Sequence, residues 1–151
     1  MSYVCPCGSK ITYAECCEML HRQQLTASSP LQLMKSRYCA FVKHQFDYLI
    51  QTHHHDFLNG LTADILAQGS PQWLGLQIMS HTESQNAGTV TFQAWYKEGN
   101  KIDAIHECSN FLKVDHTWFY TDGTQLQAKL PKRNEPCVCH SGKKFKACCL
   151  K

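Results

Sequence analysis

The stretch GTVTFQAWYKEGNKIDAIHECSNFLKV, residues 88–114, predicts two antiparallel strands joined by a tight turn. Its first part, residues 89–96, is rich in β-branched and aromatic side chains, which favour β-strands. The segment Glu-Gly-Asn-Lys at 98–101 is typical of a hairpin turn, and residues 102–114 predict a long second strand. The middle of the chain is therefore expected to contain a β-hairpin.

The flanking sequence extends this hairpin into a meander. Residues 115–116, Asp-His, predict a further turn, and residues 117–121 predict a short last strand that Asp122-Gly123 closes. Before the hairpin, residues 73–78 alternate only weakly between apolar and polar side chains. The expected sheet is antiparallel and can bury one face.

Helices are predicted before the strands. Ser29 is placed to cap a helix whose first residue is Pro30 and which runs to about residue 44. Shorter helices are expected over residues 46–52 and over 63–68, the latter capped by Thr62. The long helix carries apolar residues at helical spacing, namely Leu31, Met34, Tyr38, Phe41 and Val42. Helices followed by a strand meander indicate an α+β fold.

The same four-cysteine pattern stands at each end of the chain. A Cys-x-Cys pair is followed, after eight residues, by two adjacent cysteines. Four thiols within 13 residues match the ligand set of a tetrahedral zinc site, in which neighbouring sulfurs lie roughly 3.7 Å apart. The predicted metal ligands are Cys5, Cys7, Cys16 and Cys17 in the first pattern and Cys137, Cys139, Cys148 and Cys149 in the second.

The alternatives to zinc are disulfides, a redox relay and iron. Ten cysteines in 151 residues would suit a secreted disulfide scaffold, but residues 1–10 contain no apolar signal segment and no stretch approaches membrane-spanning length. A redox relay through Cys-x-Cys stays open, as does iron in a four-thiolate site. We expect two structural zinc ions, because closed four-thiolate shells leave no position for a substrate, in a cytoplasmic protein with no membrane partner.

The two patterns resemble the SEC-C motif, named for the C-terminal tail of the SecA translocase. Its usual form is Cys-x-Cys-Gly-Ser-Gly-Lys-Lys-Tyr-Lys-x-Cys and then Cys or His. The first copy has Lys10 where the motif has glycine, and the second has His140 where the motif has glycine. His140 could compete as a ligand, but a solvent-facing ring is favoured because four thiols already complete the shell.

The whole arrangement resembles the uncharacterised bacterial YchJ family. The middle of the chain resembles the nuclear transport factor 2-like (cystatin-like) fold, and residues 33–38 read Leu-Met-Lys-Ser-Arg-Tyr at the start of its long helix. The resemblance implies a cone of helices on a curved antiparallel sheet, flanked by two small zinc knuckles. The expected segments are residues 1–20, 29–125 and 132–151. Domains of this fold often dimerise through the exposed sheet face, so a homodimer is expected by analogy.

Charge is distributed unevenly along the chain. Residues 1–128 carry a net charge of −3, whereas residues 129–151 carry +6. A compact basic end suits an acidic partner surface or a phosphate backbone. The resemblance to the SecA tail implies that the partner is a protein or the ribosome, and nucleic acid is less favoured because no RNA-binding signature accompanies the basic end. The predicted contact residues are Lys143, Lys144 and Lys146. The alternative is that these lysines serve solubility and balance the thiolates.

A pocket in the cone is the second functional hypothesis, of small-molecule binding or an isomerase- or hydratase-type activity. Glu107 is the strongest candidate acid or base, although it could instead pair with Arg37 or Lys113 or face solvent. The other pocket candidates are Tyr38, His54, Asp56, Trp73 and Trp118. No catalytic residue is assigned, because fold analogy alone does not establish activity.

Three further histidines and two further cysteines stand apart from these groups. The run His53-His54-His55 is expected to form an exposed loop rather than a metal site, because consecutive side chains do not easily share a face. Cys39 and Cys108 are expected to be buried, inert thiols, with a redox pair between them as the alternative.

Overall fold

A computed structural model of the chain describes residues 3–69 and 71–150. The outermost residues of the two end segments, including Lys151 of the basic end, lie outside this description. The fold is α+β, as predicted, with four helices followed by a four-stranded antiparallel sheet in the order β1-β2-β3-β4. None of the helices in the described residues is long and apolar enough to cross a membrane.

The helices precede the sheet and are short except for one. Helix α1 spans Cys17–His21, α2 spans Pro30–Val42, α3 spans Phe46–Gln51 and α4 spans Ala63–Leu66. The predicted caps of α2 and α4 are confirmed, because the Ser29 hydroxyl accepts a hydrogen bond from the Gln32 N–H and the Thr62 hydroxyl accepts one from the Ile65 N–H. Single 3-10 turns lie at Tyr13–Glu15, His55–Phe57 and Phe145–Ala147.

The strands are longer than the sequence predicted. Strand β1 spans Gln72–Glu83, β2 spans Ala87–Glu98, β3 spans Lys101–Val114 and β4 spans Thr117–Leu126. The predicted turns at 98–101 and 115–116 are confirmed; Gly99 has a φ of +63°, and both Asp115 and His116 also have positive φ. Three register shifts, in β1 after Trp73 and after Ile78 and in β3 after Ser109, bend the sheet around α2.

The prediction that Asp122-Gly123 ends the last strand is wrong. Strand β4 continues to Leu126, and its Gly123 pairs with Ser109 of β3. A Cβ at Gly123 would lie 2.4 Å from the Glu107 Oε2 atom, so the glycine makes room for that side chain within the sheet. The turn-like composition therefore reflects a packing constraint and not a turn.

Helix α2 is buried on two sides instead of the single face predicted. Of its predicted apolar residues, Met34, Tyr38 and Phe41 face the concave side of the sheet, whereas Leu31 lies beside the N-terminal knuckle. Residues outside the predicted face are buried as well, namely Leu33, Ser36, Cys39 and Ala40. The reason is that the N-terminal knuckle, residues 3–21, packs on the other side of the helix. There the Cys39 Sγ atom lies 3.6 Å from Cys5 Sγ.

The C-terminal knuckle, residues 133–150, packs on the opposite, convex face of the sheet. Its residues Cys137, Val138 and Phe145 form a buried cluster with Trp95 of β2. Two contacts hold the chain along the sheet on its way to this position. The side-chain amide of Gln93 accepts a hydrogen bond from the Lys129 N–H and donates one to the Lys129 carbonyl oxygen. His106 Nδ1 lies 2.8 Å from the Gln127 oxygen. The convex face at which a dimer would form is thus partly covered, and the homodimer stays a prediction.

Replacement of Gly75 should release the C-terminal knuckle from the sheet. A Cβ at this position would lie 2.1 Å from the Val138 carbonyl oxygen, a backbone atom that cannot move independently. We expect Gly75→Ala to destabilise the protein by about 1–3 kcal/mol and to shift the Trp95 indole N–H resonance, which reports the hydrogen bond from Trp95 to Gln77.

The matched control is Ser80→Ala, an exposed position on the same strand. Urea denaturation and heteronuclear NMR measure the two effects. An unchanged Trp95 resonance in Gly75→Ala would contradict the proposed close packing.

Candidate metal centres and central cavity

The N-terminal knuckle gathers four sulfurs at one point. The Sγ atoms of Cys5, Cys7, Cys16 and Cys17 all lie within 4.8 Å of one another, and Cys7 Sγ and Cys16 Sγ are 3.6 Å apart. Two backbone hydrogen bonds form the loop, from the Cys5 N–H to the Ile11 oxygen at 2.8 Å and from the Cys16 N–H to the Tyr13 oxygen at 3.0 Å. The second of these closes the 3-10 turn that places the last two cysteines opposite the first two.

The C-terminal knuckle repeats this geometry. The sulfurs of Cys137, Cys139, Cys148 and Cys149 also lie within 4.8 Å of one another, with Cys139 Sγ 3.6 Å from Cys148 Sγ. The equivalent backbone bonds are present, from Cys137 to the Lys143 oxygen at 2.9 Å and from Cys148 to the Phe145 oxygen at 3.2 Å. The same geometry thus recurs although the residues bonded to Cys5 and Cys137, Ile11 and Lys143, differ.

The sulfur positions fit a tetrahedral metal ion. Four thiolates at about 2.3 Å from zinc lie roughly 3.7 Å from one another, close to the 3.6 Å separations in both knuckles. Each group of four can therefore hold a metal ion, consistent with zinc. His140 does not join the second group, because its Nε2 atom lies 2.8 Å from the Leu76 carbonyl oxygen. The residue is exposed, as the sequence favoured, although one ring nitrogen is held against β1.

A serine hydroxyl supports one sulfur in each knuckle. Ser9 Oγ lies 3.2 Å from Cys16 Sγ, and Ser141 Oγ lies 3.3 Å from Cys148 Sγ. A hydroxyl that donates to a thiolate spreads its charge and fixes its orientation. Hydrogen bonds with Cys39, Cys5 and Cys7 raise the pKa of Cys17, and burial raises the pKa of Cys149, whereas hydrogen bonds with Cys17 and Cys39 lower the pKa of Cys5. Metal binding must therefore displace protons.

The additional cysteines do not form a pair. Cys39 is fully buried against Cys5, next to the first group of sulfurs. Cys108 lies on β3 between Thr91 and Thr124 and is half-buried. Sequence alone gave no reason to place Cys39 beside a metal site 34 residues away.

The histidine run divides between two environments. His53 forms an isolated bridge with Tyr120 and faces inward, whereas the ligand atoms of His54, His55 and Asp56 lie within 4.8 Å of one another at the surface. The rings of His54 and His55 are stacked at 4.7 Å, so consecutive side chains do share a face here. This group holds only three ligands, two of them exposed.

A cavity of about 300 Å³ lies between α2 and the concave face of the sheet. Tyr38, Trp73 and Glu107 line it, as the pocket hypothesis expected. His54 lies outside, because its neighbour His53 takes the inward position, and Trp118 is buried in the core. Arg37 and Tyr120 also line the cavity, and sequence reasoning had considered Arg37 only as an ion-pair partner.

Glu107 is satisfied by neutral donors. Its Oε2 atom accepts hydrogen bonds from Ser109 and from Tyr120, at 3.3 Å for the latter, and Oε1 accepts one from Gln125. Among residues 3–69 and 71–150, neither Arg37 nor Lys113 forms an ion pair with it. None of the three alternatives for Glu107 is therefore observed.

The fold and the paired sulfur sites together define a protein with two SEC-C motifs around a nuclear transport factor 2-like domain. The chain matches the family model described as "YchJ, middle NTF2-like domain" over residues 29–123 and the SEC-C motif over residues 4–18 and 133–151. It belongs to the YchJ family.

Similar proteins share most of its length. UPF0225 proteins of Shewanella sp. strains MR-7 and MR-4 are 56% and 55% identical, over 97% of this chain and 96% of theirs. A SEC-C motif containing protein from Rhodopseudomonas palustris has a similar solution structure, with a TM-score of 0.74 and 32% identity over 84% of this chain and 100% of that one. The crystal structure of one from Psychrobacter arcticus has a TM-score of 0.73 and 28% identity over 97% and 94%.

Replacement by glycine should change the stability of the two knuckles differently. Each needs positive φ at two equivalent positions, occupied by Gly8 and Lys10 in the first knuckle and by His140 and Gly142 in the second. A left-handed residue with a side chain is strained, so Lys10→Gly should stabilise the protein by roughly 0.5–1 kcal/mol. His140→Gly relieves the same strain but loses the contact with Leu76, and should give no gain or a net loss.

Urea midpoints measured with excess zinc test this contrast. An equal gain from both substitutions would show that the His140 contact contributes nothing.

Proposed function

We propose that this protein binds two structural zinc ions and uses its C-terminal knuckle to dock on an acidic protein surface or on the ribosome. The zinc ions would hold the two knuckles in shape, because segments of this length cannot bury enough apolar surface to fold alone. Support for zinc comes from the four-thiol sets and their tetrahedral spacing. The partner is inferred from what the second knuckle exposes.

A comparison of the two knuckles carries the proposal. The lysines Lys143, Lys144 and Lys146 are all exposed, and among the described residues none has an ion-pair partner. The equivalent residues of the first knuckle are Ile11, Thr12 and Ala14. That knuckle gathers its four thiols without these lysines, so the charges are not required to balance a metal–thiolate centre. A surface role explains them better.

The orientation of the C-terminal knuckle supports this role. Its Phe145 and Val138 face Trp95 in the buried cluster, while the three lysine side chains remain exposed. The knuckle is therefore a rigidly mounted basic surface, which reduces the entropic cost of binding.

Metal content should be about two zinc ions per chain, with one lost when one knuckle is disabled. Elemental mass spectrometry on protein purified without chelator measures this directly. We expect the double variant Cys5→Ser/Cys7→Ser to retain about one zinc ion, because the second group of four is separate. The control Cys108→Ser changes a thiol outside both groups and should retain two. Iron, or no metal with oxidised thiols, would overturn the zinc assignment.

Charge reversal of the three lysines should abolish partner binding. We expect the triple variant Lys143→Glu, Lys144→Glu and Lys146→Glu to lose binding to purified bacterial ribosomes or to an acidic model polypeptide such as poly-glutamate, because surface electrostatics drive this contact. Sedimentation measures binding to ribosomes and calorimetry measures binding to poly-glutamate, each at increasing salt concentration.

The matched control reverses Lys35, Lys97 and Lys101, which have the same charge but lie outside the knuckle. If both triple variants lost binding equally, the net charge of the protein, and not the position of the lysines, would explain the loss. Unchanged binding in the knuckle variant would refute the docking proposal.

A further inference from the structure

The central cavity has one polar and one aromatic end. At the polar end, Arg37, Tyr120 and Glu107 contact one another in series: the Arg37 guanidinium carbon lies 4.6 Å from the Tyr120 ring centre, and the Tyr120 hydroxyl donates to Glu107. At the other end, the ring of Trp73 packs edge-on against Tyr38, with ring centres 5.9 Å apart. Such a division suits a small amphipathic molecule.

Arg37 is a half-buried cation that forms no ion pair among the described residues. Its Nη1 atom donates to the Leu49 oxygen at 2.8 Å and to Thr52 Oγ1 at 2.7 Å. Within the described residues, its other nitrogens make no hydrogen bond and no carboxylate lies within 4 Å. Burial lowers the pKa of the guanidinium to about 10, so it stays charged at neutral pH. A charge that is partly withdrawn from water and has no paired anion is costly, and a carboxylate on a ligand would compensate for it.

Glu107 restricts the charge of that ligand. It lines the same cavity, but its two oxygens already accept hydrogen bonds from Ser109, Tyr120 and Gln125, so it does not neutralise Arg37 by direct contact. Its negative charge would repel a ligand with two or more negative charges. A single carboxylate, which a guanidinium can bind through two parallel hydrogen bonds, fits these constraints better than a phosphate.

A further unpaired side chain supports a polar ligand group. Both ring nitrogens of His53, which lines the cavity, are buried and make no hydrogen bond among the described residues. Burial and the charge of Arg37 lower the pKa of His53, so its ring is neutral at pH 7. Buried polar groups in native proteins are normally satisfied, so the one N–H of the neutral His53 ring has capacity for a ligand acceptor.

The volume of the cavity and its opening to solvent limit the apolar part of the ligand. The volume of about 300 Å³ is at the small end for ligand pockets, which excludes nucleotides and coenzymes. Ile105 lines the cavity and is 37% exposed, so the cavity reaches the protein surface beside it. The aromatic end formed by Trp73, Tyr38 and Phe41 suits a single ring or a branched aliphatic group.

We propose that the central cavity binds a small monocarboxylate with an apolar body, whose carboxylate contacts Arg37 and whose body lies against Trp73. The site is separate from both sulfur groups and does not depend on the docking role of the C-terminal knuckle.

The test compares matched probes on the full, zinc-loaded chain. We expect 3-phenylpropionate to bind at least about tenfold more tightly than the isosteric 3-phenylpropionamide, because charged hydrogen bonds to Arg37 are stronger than neutral ones. Calorimetry gives the affinities, and NMR shifts of the Trp73 indole and of His53 locate the probe. Equal affinity for the two probes, or binding of neither, overturns the proposal.

Two variants separate the polar contact from the cavity itself. Arg37→Met should abolish the preference for the carboxylate, so that the two affinities become equal. Ala94→Leu, which fills the cavity without removing a polar group, should abolish binding of both probes. The Lys143, Lys144 and Lys146 charge-reversal variant should bind 3-phenylpropionate normally.

Arg37→Met also loses bonds to Leu49 and Thr52, so its fold is checked by NMR. If it does not fold, the probe comparison on the unmodified chain and the Ala94→Leu result still decide the proposal. Carboxylate preference that persists in folded Arg37→Met overturns it.

Discussion

The convergence of four cysteine sulfurs within 4.8 Å is the constraint on which both ends of the molecule depend. Each knuckle has almost no core of its own; apart from these sulfurs, its inward-facing side chains are mainly one aromatic ring and one aliphatic side chain, Tyr13 and Leu20 in the first and Phe145 and Val138 in the second. Ionised thiols at such distances repel one another, and protonated thiols attract only weakly. A bound cation would turn this unfavourable arrangement into the strongest interaction of the segment.

The central domain holds the two knuckles by different means. On the first, Tyr13 and His21 form a polar chain to α2: the Tyr13 hydroxyl lies 2.7 Å from His21 Nδ1, and His21 Nε2 lies 2.8 Å from the Ser36 oxygen. On the second, Phe145 packs against Trp95 without a polar partner. At this position of the motif, the first knuckle, which packs on a helix, has the hydroxyl-bearing Tyr13. The second knuckle, which packs on the sheet, has Phe145, which lacks the hydroxyl.

The features of this fold that depend on neighbouring residues could be predicted from the sequence. The features that depend on contacts between residues distant in sequence could not. The caps at Ser29 and Thr62, the turns and the ligand sets depend on neighbouring residues and could be inferred from the sequence. The extent of β1 could not, because its two register shifts interrupt the alternation that identifies a strand. The role of Gly123 depends on Glu107, which lies 16 positions earlier, and Cys39 adjoins Cys5 only because α2 folds back on the knuckle.

One turn of α2 connects the first sulfur group with the cavity. Within residues 36–39, Ser36 receives His21 of the knuckle, Arg37 and Tyr38 line the cavity, and Cys39 contacts Cys5. A cation at the first site would fix this turn and with it the guanidinium of Arg37. The second site has no such connection, because the sheet separates it from the cavity. The two sulfur groups, although equal in geometry, would therefore be unequal in consequence: a cation at the first would support the interior of the domain, and one at the second would support only the surface that the C-terminal knuckle exposes.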